Sequence, residues 1–142
     1  MKNILLTGSD GYIGAGLYKK LLNEGHLVKA VDLKIFFNIE KIFNNILWPV
    51  DNIKDIVEDH LDGIDHVIHL AAISNDPLAE IDPRLTWETN VLFTLLLIEN
   101  CIKAKVKQFT FASSGSVYGL KKEVKVTEDL DLVPITDYNK SK

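Results

Sequence analysis

A doubly wound α/β fold with a parallel sheet follows from three observations on the sequence. Short apolar runs that end at glycine or acid alternate with segments of helical periodicity along the chain. At the first junction between a run and a helix, Gly8, Gly11 and Gly14 fall at three-residue intervals. Gly8, Asp32, Asp51, Ala71 and Ser113 all stand at the ends of expected strands, which a parallel sheet brings to one edge. Right-handed crossovers make the strand order 3-2-1-4-5, with a ligand expected at the carboxyl ends of strands 1 and 4, where the order reverses.

Each element has its own warrant. Ile4, Leu5 and Leu6 form a run too short for a helix, cut off at Thr7-Gly8, and read as a buried strand. Ile13, Leu17, Leu21 and Leu22 then recur at helical spacing. A glycine turn between strand and helix lets backbone approach a pyrophosphate and points the free N–H groups of the helix start at it. The spacing is G-x-x-G-x-x-G, not the common G-x-G-x-x-G. The second strand, 27–31, ends at Asp32, placed to accept from both hydroxyls of an adenosine ribose and to repel a 2′-phosphate. Lys34 is the nearby cation and no arginine follows, which favours NAD over NADP.

Residues 33–45 fit either a short amphipathic helix or a partly buried loop, and 46–50 an edge strand marked by Pro49. A helix is expected over 54–61, with Ile53, Ile56, Val57 and Leu61 on one face and Asp62-Gly63 as its end. Residues 65–72 form the fourth strand and 73–83 a loop. A long helix over 85–104 offers Thr89/Leu92/Leu96/Glu99 and Val91/Leu95/Ile98/Ile102 as faces. The fifth strand is 106–112, followed by loop over 113–136, broken at Gly115, Gly119 and Pro134, and by the opening of a helix over 137–142.

The chain of 142 residues suffices for one domain with a core. A net charge of −4 with scattered lysines offers no electrostatic basis for nucleic acid as partner. One cysteine, Cys101, precludes an intrachain disulfide and reads as a small core residue. Met1-Lys2 runs into a strand without a leader, and the longest apolar run, Val91-Leu-Phe-Thr-Leu-Leu-Leu-Ile98, is far short of a membrane span, so a cytoplasmic protein with no membrane partner is expected. His66 and His69 lie on opposite faces of a strand, and no metal site is expected. Trp48 and Trp87 read as packing residues, and Asp76, Glu80 and Asp82 as solvated loop acids.

Two late stretches carry chemistry: Ala112-Ser-Ser-Gly-Ser-Val-Tyr-Gly119 and Tyr138-Asn-Lys-Ser-Lys142. A tyrosine and a lysine at i and i+4 share a helix face, and a nearby ammonium favours a phenolate, which makes a general base. Tyr118 and Lys122 have the same spacing but Gly119 interrupts them, so that pair is set aside. Alone, Tyr138/Lys142 is an exposed helix start and the serines a self-bonded turn. Downstream of the glycine turn, in this order, they point to an oxidoreductase-type site.

Thr7-Gly8-x-x-Gly11-x-x-Gly14, Asp32, His69-Leu-Ala-Ala72, Asn90, Ser113-Ser114, Val117-Tyr-Gly119 and Tyr138…Lys142 together resemble the extended short-chain dehydrogenase/reductases that act on nucleotide sugars, in their NAD-dependent epimerase/dehydratase branch. The resemblance covers the whole chain and implies a Rossmann-like domain over 1–142. It implies that Gly8, Gly11, Tyr12, Ile13 and Gly14 hold the pyrophosphate of NAD, Asp32 with Leu33 the adenosine ribose, and Asp51 the adenine. Leu70, Ala71, Ala72, Asn90 and Ser113 would complete the cofactor groove. Tyr138 would take a proton from a sugar hydroxyl, Lys142 would bond the nicotinamide ribose, and Ser114 would bond the reacting oxygen. The implied partner is a nucleotide sugar, and a homodimer is compatible with the pattern.

Three departures stand out. Gly115 and Ser116 occupy positions where members that eliminate water carry acids, which favours epimerase or reductase chemistry. The interval from Asp32 to Asp51 is short, and Phe93 stands where glycine is common. The sequence stops at Lys142, where the family continues into a substrate-binding domain. The sheet is therefore expected to be incomplete on its C-terminal side, with Tyr138 and Lys142 loosely held and the chain unstable, oligomeric or ligand-dependent. The alternatives are a cofactor-binding remnant without turnover and, more weakly, a Rossmann-like methyltransferase, for which the Ser…Tyr…Lys set would be coincidence.

Overall fold

Ile4, Leu5 and Leu6 are all buried although strand side chains alternate between faces, so the sheet they form is covered on both sides. The structure, a computed structural model, describes residues 1–34 and 50–142. Its elements are β1 (Asn3–Thr7), α1 (Tyr12–Asn23), β2 (Leu27–Val31), β3 (His66–His69), α2 (Asp76–Ile81), α3 (Pro83–Trp87), α4 (Phe93–Lys103), β4 (Gln108–Phe111) and α5 (Asp137–Lys140). A π turn spans Glu88–Leu92, and 3-10 turns span Ile53–Asp55, Glu58–Leu61 and Gly115–Tyr118. The chain divides into two units: Met1–Ala71 with Phe93–Phe111, and Ala72–Leu92 with Ala112–Lys142.

The first unit is built on a parallel sheet of order β2-β1-β3-β4. These are the first, second, fourth and fifth expected strands in the expected order. The third expected strand, 46–50, lies outside the described residues except for Val50, as do the helix-or-loop over 35–45 and Trp48. Register puts Val31, Thr7, His69 and Phe111 in one row at the carboxyl ends of the four strands. On one face Leu5, Val31 and Val67 pack with Ile53, Ile56, Leu61, Leu97 and Cys101. On the other Ile4, Leu6, Val28, Ala30 and Ile68 pack with Tyr18 and Leu21 of α1. Each fully buried aliphatic side chain contributes about 1.5–3 kcal/mol.

Three local expectations are corrected. The helix over 54–61 is two 3-10 turns separated by extended backbone at Ile56 and Val57, where β-branched side chains disfavour helix. Ile53, Ile56 and Leu61 are buried, but Val57 is half exposed. The loop over 73–83 contains α2, whose start is capped by the Asn75 side chain accepting from Leu78 N–H, with a proline in the first turn. Only Ala79 of this helix is buried, so it carries no apolar period to betray it. The helix expected over 85–104 starts at Pro83, with Asp82 as cap, and is interrupted by the π turn. In the first unit α4 buries Thr94, Leu97 and Cys101, while in the second Thr86 and Asn90 are buried. Leu92, Leu95, Leu96 and Ile102, which belonged to the expected faces, are exposed. The extra residue of the π turn shifts the helical phase, and buried polar residues such as Thr86, Asn90 and Thr94 do not stand out in hydropathy.

Candidate functional site

In the first unit the chain leaves β1 through Gly8, which has φ +71 and donates its N–H to Val31 O at 2.8 Å. A Cβ at Gly8 would lie 2.6 Å from the Ala71 nitrogen, and one at Gly14 2.0 Å from the Gly8 carbonyl oxygen. Both glycines are therefore demanded by the protein's own backbone. Gly11 differs: it is exposed, extended (φ −73, ψ 169), and a Cβ there would meet only Gly8 O at 3.3 Å. Gly11 caps α1 with no side-chain hydrogen bond, and the Tyr12 and Ile13 side chains are exposed. The start of this helix presents backbone N–H groups and a positive dipole end, which is what an anion requires.

Asp32, one residue beyond β2, has both carboxylate oxygens oriented. Oδ2 accepts from Asp10 N–H at 3.0 Å and Oδ1 from Lys34 N–H at 3.2 Å. Asp10 lies inside the glycine turn and is buried, so the acid expected at the ribose and the turn expected at the pyrophosphate are tied by a direct bond. Lys34 is left-handed (φ +56) and its ammonium pairs with Asp51. Leu33 is exposed. Leu70 N–H donates to Thr7 O at 3.1 Å, and Ala71 N–H to the Thr7 hydroxyl at 3.2 Å. That hydroxyl also meets His69 Nδ1 at 2.6 Å, while Nε2 meets the Thr94 hydroxyl at 2.9 Å. A neutral imidazole, with one N–H and one lone pair, satisfies both hydroxyls. His69 is thus a buried strut beneath the turn, stacked near Phe111. His66 is bonded to Thr110 instead. A phosphate at α1 and a vicinal diol at Asp32 fit this donor and acceptor set.

The second unit holds Ala72, Asn90, Ser113, Ser114, Tyr138 and Lys142. α5 is a single turn capped by the Thr136 hydroxyl, which accepts from Asn139 N–H at 3.2 Å and donates to Asp76. Trp87 Nε1 donates to Asp137 Oδ1 at 3.2 Å, so this partly exposed tryptophan braces α5 rather than filling a core. The Asn90 amide clasps the Ile73 backbone, accepting from its N–H at 2.8 Å and donating to its carbonyl at 3.0 Å. It also donates to Ser141 Oγ at 2.9 Å, and Ser141 Oγ donates to Tyr138 O at 2.8 Å. Ser114 Oγ accepts from Ser116 N–H at 3.2 Å, and Gly119, with φ +67, closes the 3-10 turn. Ser113 Oγ donates to the Lys142 main-chain oxygen at 3.1 Å. Burial lowers the Lys142 pKa below the usual lysine range. Cys101, in the first unit, has its thiol pushed up to about 11 by burial and is held as an unreactive core residue.

Sequence reasoning missed Asp10, the Thr7 hydroxyl, the pairing of Lys34 with Asp51, and the bracing of α5 by Asp76, Trp87 and Ser141. The position of Asp10 inside the glycine turn was visible, but its use of a backbone N–H has no signature in residue type. No group of three or more His, Cys, Asp or Glu among the described residues is placed to hold a metal ion. No helix among them is long and apolar enough to cross a membrane.

Comparison with known proteins agrees with this geometry. UDP-glucose 4-epimerase of Lactobacillus helveticus is 33% identical over 150 residues, covering 98% of this chain and 43% of the relative. The crystal structure of UDP-glucose 4-epimerase of Thermotoga maritima with UDP-glucose matches with a TM-score of 0.83 and 33% identity, over 99% of this chain and 47% of that one. UDP-glucose 4-epimerase of Stenotrophomonas maltophila, with bound NAD and formylated UDP-arabinopyranose, matches with a TM-score of 0.90 and 26% identity, over 100% and 46%. The chain spans less than half the length of these relatives. The sequence profile of one family matches residues 4–142, and on that match the chain belongs to the NAD dependent epimerase/dehydratase family.

Proposed function

We propose that this chain carries the NAD-binding half, a Rossmann-like domain, and the proton-transfer residues of a cytoplasmic nucleotide-sugar epimerase or related oxidoreductase. The observation that carries the reading is the bond from Asp10 N–H, inside the glycine turn, to Asp32. It joins the expected pyrophosphate and ribose sites into one pre-organised element. Gly8, Gly11, Tyr12, Ile13 and Gly14 cradle the pyrophosphate. Asp32 and Leu33 take the adenosine ribose and Asp51 the adenine; the resemblance assigns further cofactor contacts to Leu70 and Ala71 of the first unit and to Ala72, Asn90 and Ser113 of the second. NAD, when bound, supplies a hydride acceptor. Tyr138 removes the proton of a sugar hydroxyl, Lys142 bonds the nicotinamide ribose, and Ser114 bonds the reacting oxygen. Gly115 and Ser116 supply no acid or base for elimination of water, so epimerase or reductase chemistry is preferred.

The alternative is NAD binding without turnover. Calorimetric titration with NAD separates the outcomes. The wild-type chain is expected to bind, and Asp32→Ala to weaken binding by about 10–100-fold through loss of charge-assisted hydrogen bonds. Equal affinity in the two proteins contradicts the site. Absorbance at 340 nm on adding UDP-glucose to the NAD-loaded chain then distinguishes a chain that transfers hydride from one that only binds.

A further inference from the structure

We propose that Asp51 sets the nucleotide preference of the first unit, by engaging the Lys34 ammonium so that it does not serve a 2′-phosphate. The inference rests on the reading of this unit as a dinucleotide cradle. A lysine beside an adenosine ribose is a residue type that recognises a 2′-phosphate. Lys34 stands two residues beyond Asp32 and donates its backbone N–H to Asp32 Oδ1 at 3.2 Å. Its left-handed backbone, φ +56, is one that side chains larger than glycine seldom adopt. Among the described residues, its N–H is held on Asp32 and its ammonium on Asp51.

Charge explains the arrangement. With Lys34 uncompensated, the repulsion of Asp32 for a 2′-phosphate would be partly cancelled by a cation on the same strand end. With Lys34 paired to Asp51, the three groups carry a net negative charge, and a neutral diol is the better guest. The Lys34 side chain is only 20% exposed, which limits screening at its end of the pair, while Asp51 is 58% exposed. A pair exposed at one end is a modest contributor. Asp51 therefore adjusts the preference, and Asp32 remains the larger determinant.

The test is calorimetric titration of the chain with NAD and with NADP, read as the ratio of the two dissociation constants. That ratio cancels any contact of Asp51 with the adenine common to both nucleotides. Asp32→Asn retains an acceptor for a backbone N–H and is expected to admit NADP. Adding Asp51→Asn is expected to shift the ratio toward NADP by a further factor of about ten. Adding Lys34→Asn, which tolerates the left-handed backbone, is expected to abolish that second shift. A ratio unchanged by Asp51→Asn, or a shift that survives Lys34→Asn, overturns the proposal. Failure of the wild-type chain to bind either nucleotide overturns the cradle reading itself, and this proposal with it. Circular dichroism of each variant verifies that the ratio is read on folded protein.

Discussion

Alanine at Gly14 would set its Cβ 2.0 Å from the Gly8 carbonyl oxygen, a backbone atom that cannot step aside, whereas alanine at Gly11 would meet that oxygen at 3.3 Å. The two substitutions are predicted to separate folding from binding. Gly14→Ala should cost about 3 kcal/mol or more, seen as a lowered urea midpoint. Gly11→Ala should cost about 1 kcal/mol or less, because its φ of −73 suits any residue, yet weaken NAD binding by crowding the approach to α1. Cys101 makes a second residue-scale prediction. Its thiol is raised from near 9 to about 11 in the fold, so the unfolded chain loses that proton first. The contribution is fully present below pH 9 and is lost as pH rises from about 9 to about 11. Urea midpoints of the wild type should fall across that window, and Cys101→Ala should remove this part of the slope.

α5 stands on contacts rather than on its own propensity, since four residues make one turn and isolated helices shorter than about 12 residues are marginal. Asn90 is the principal brace, with its amide shared between Ile73 and Ser141. Asn90→Ala is predicted to cost about 2–3 kcal/mol and to accelerate hydrogen exchange of the α5 amides, as it leaves buried polar partners unpaired. Thr136→Ala removes the cap and should cost about 1 kcal/mol. If α5 exchange is unchanged in Asn90→Ala, the brace is not what holds the turn. At this scale the sequence was partly legible. The opening of α5 and the glycine turn announced themselves through residue type and spacing. α2 did not, because only Ala79 of it is buried, and neither did the buried Thr86 and Asn90 of the second unit or Thr94 of the first, because these polar side chains are held by specific bonds that hydropathy does not register.

For the molecule as a whole, strand order was legible because four apolar runs each ended at a residue suited to a ligand. The parallel register confirms their alignment, with Val31, Thr7, His69 and Phe111 in one row. The bonds that connect Asp10 to Asp32, and Lys34 to Asp51, join residues 17 to 22 positions apart and depend on the folded turn, which is why spacing alone named Asp32 and not its partners. A ligand that binds only the native state adds about 2.7 kcal/mol at a hundred times its dissociation constant. NAD at that concentration should therefore raise the melting temperature of the wild type by several degrees and that of Asp32→Ala by no more than about half as much, since a site weakened 10–100-fold adds only about 0.4–1.4 kcal/mol. On this reading the glycine turn, the start of α1 and Asp32 form one NAD cradle. Its most direct test is a ¹⁵N–¹H spectrum of the chain titrated with NAD. The cradle predicts the largest shifts at the amides of Gly11, Tyr12, Ile13, Leu33 and Lys34. An unchanged spectrum at saturating NAD, or shifts confined to residues outside this turn and the end of β2, would contradict it.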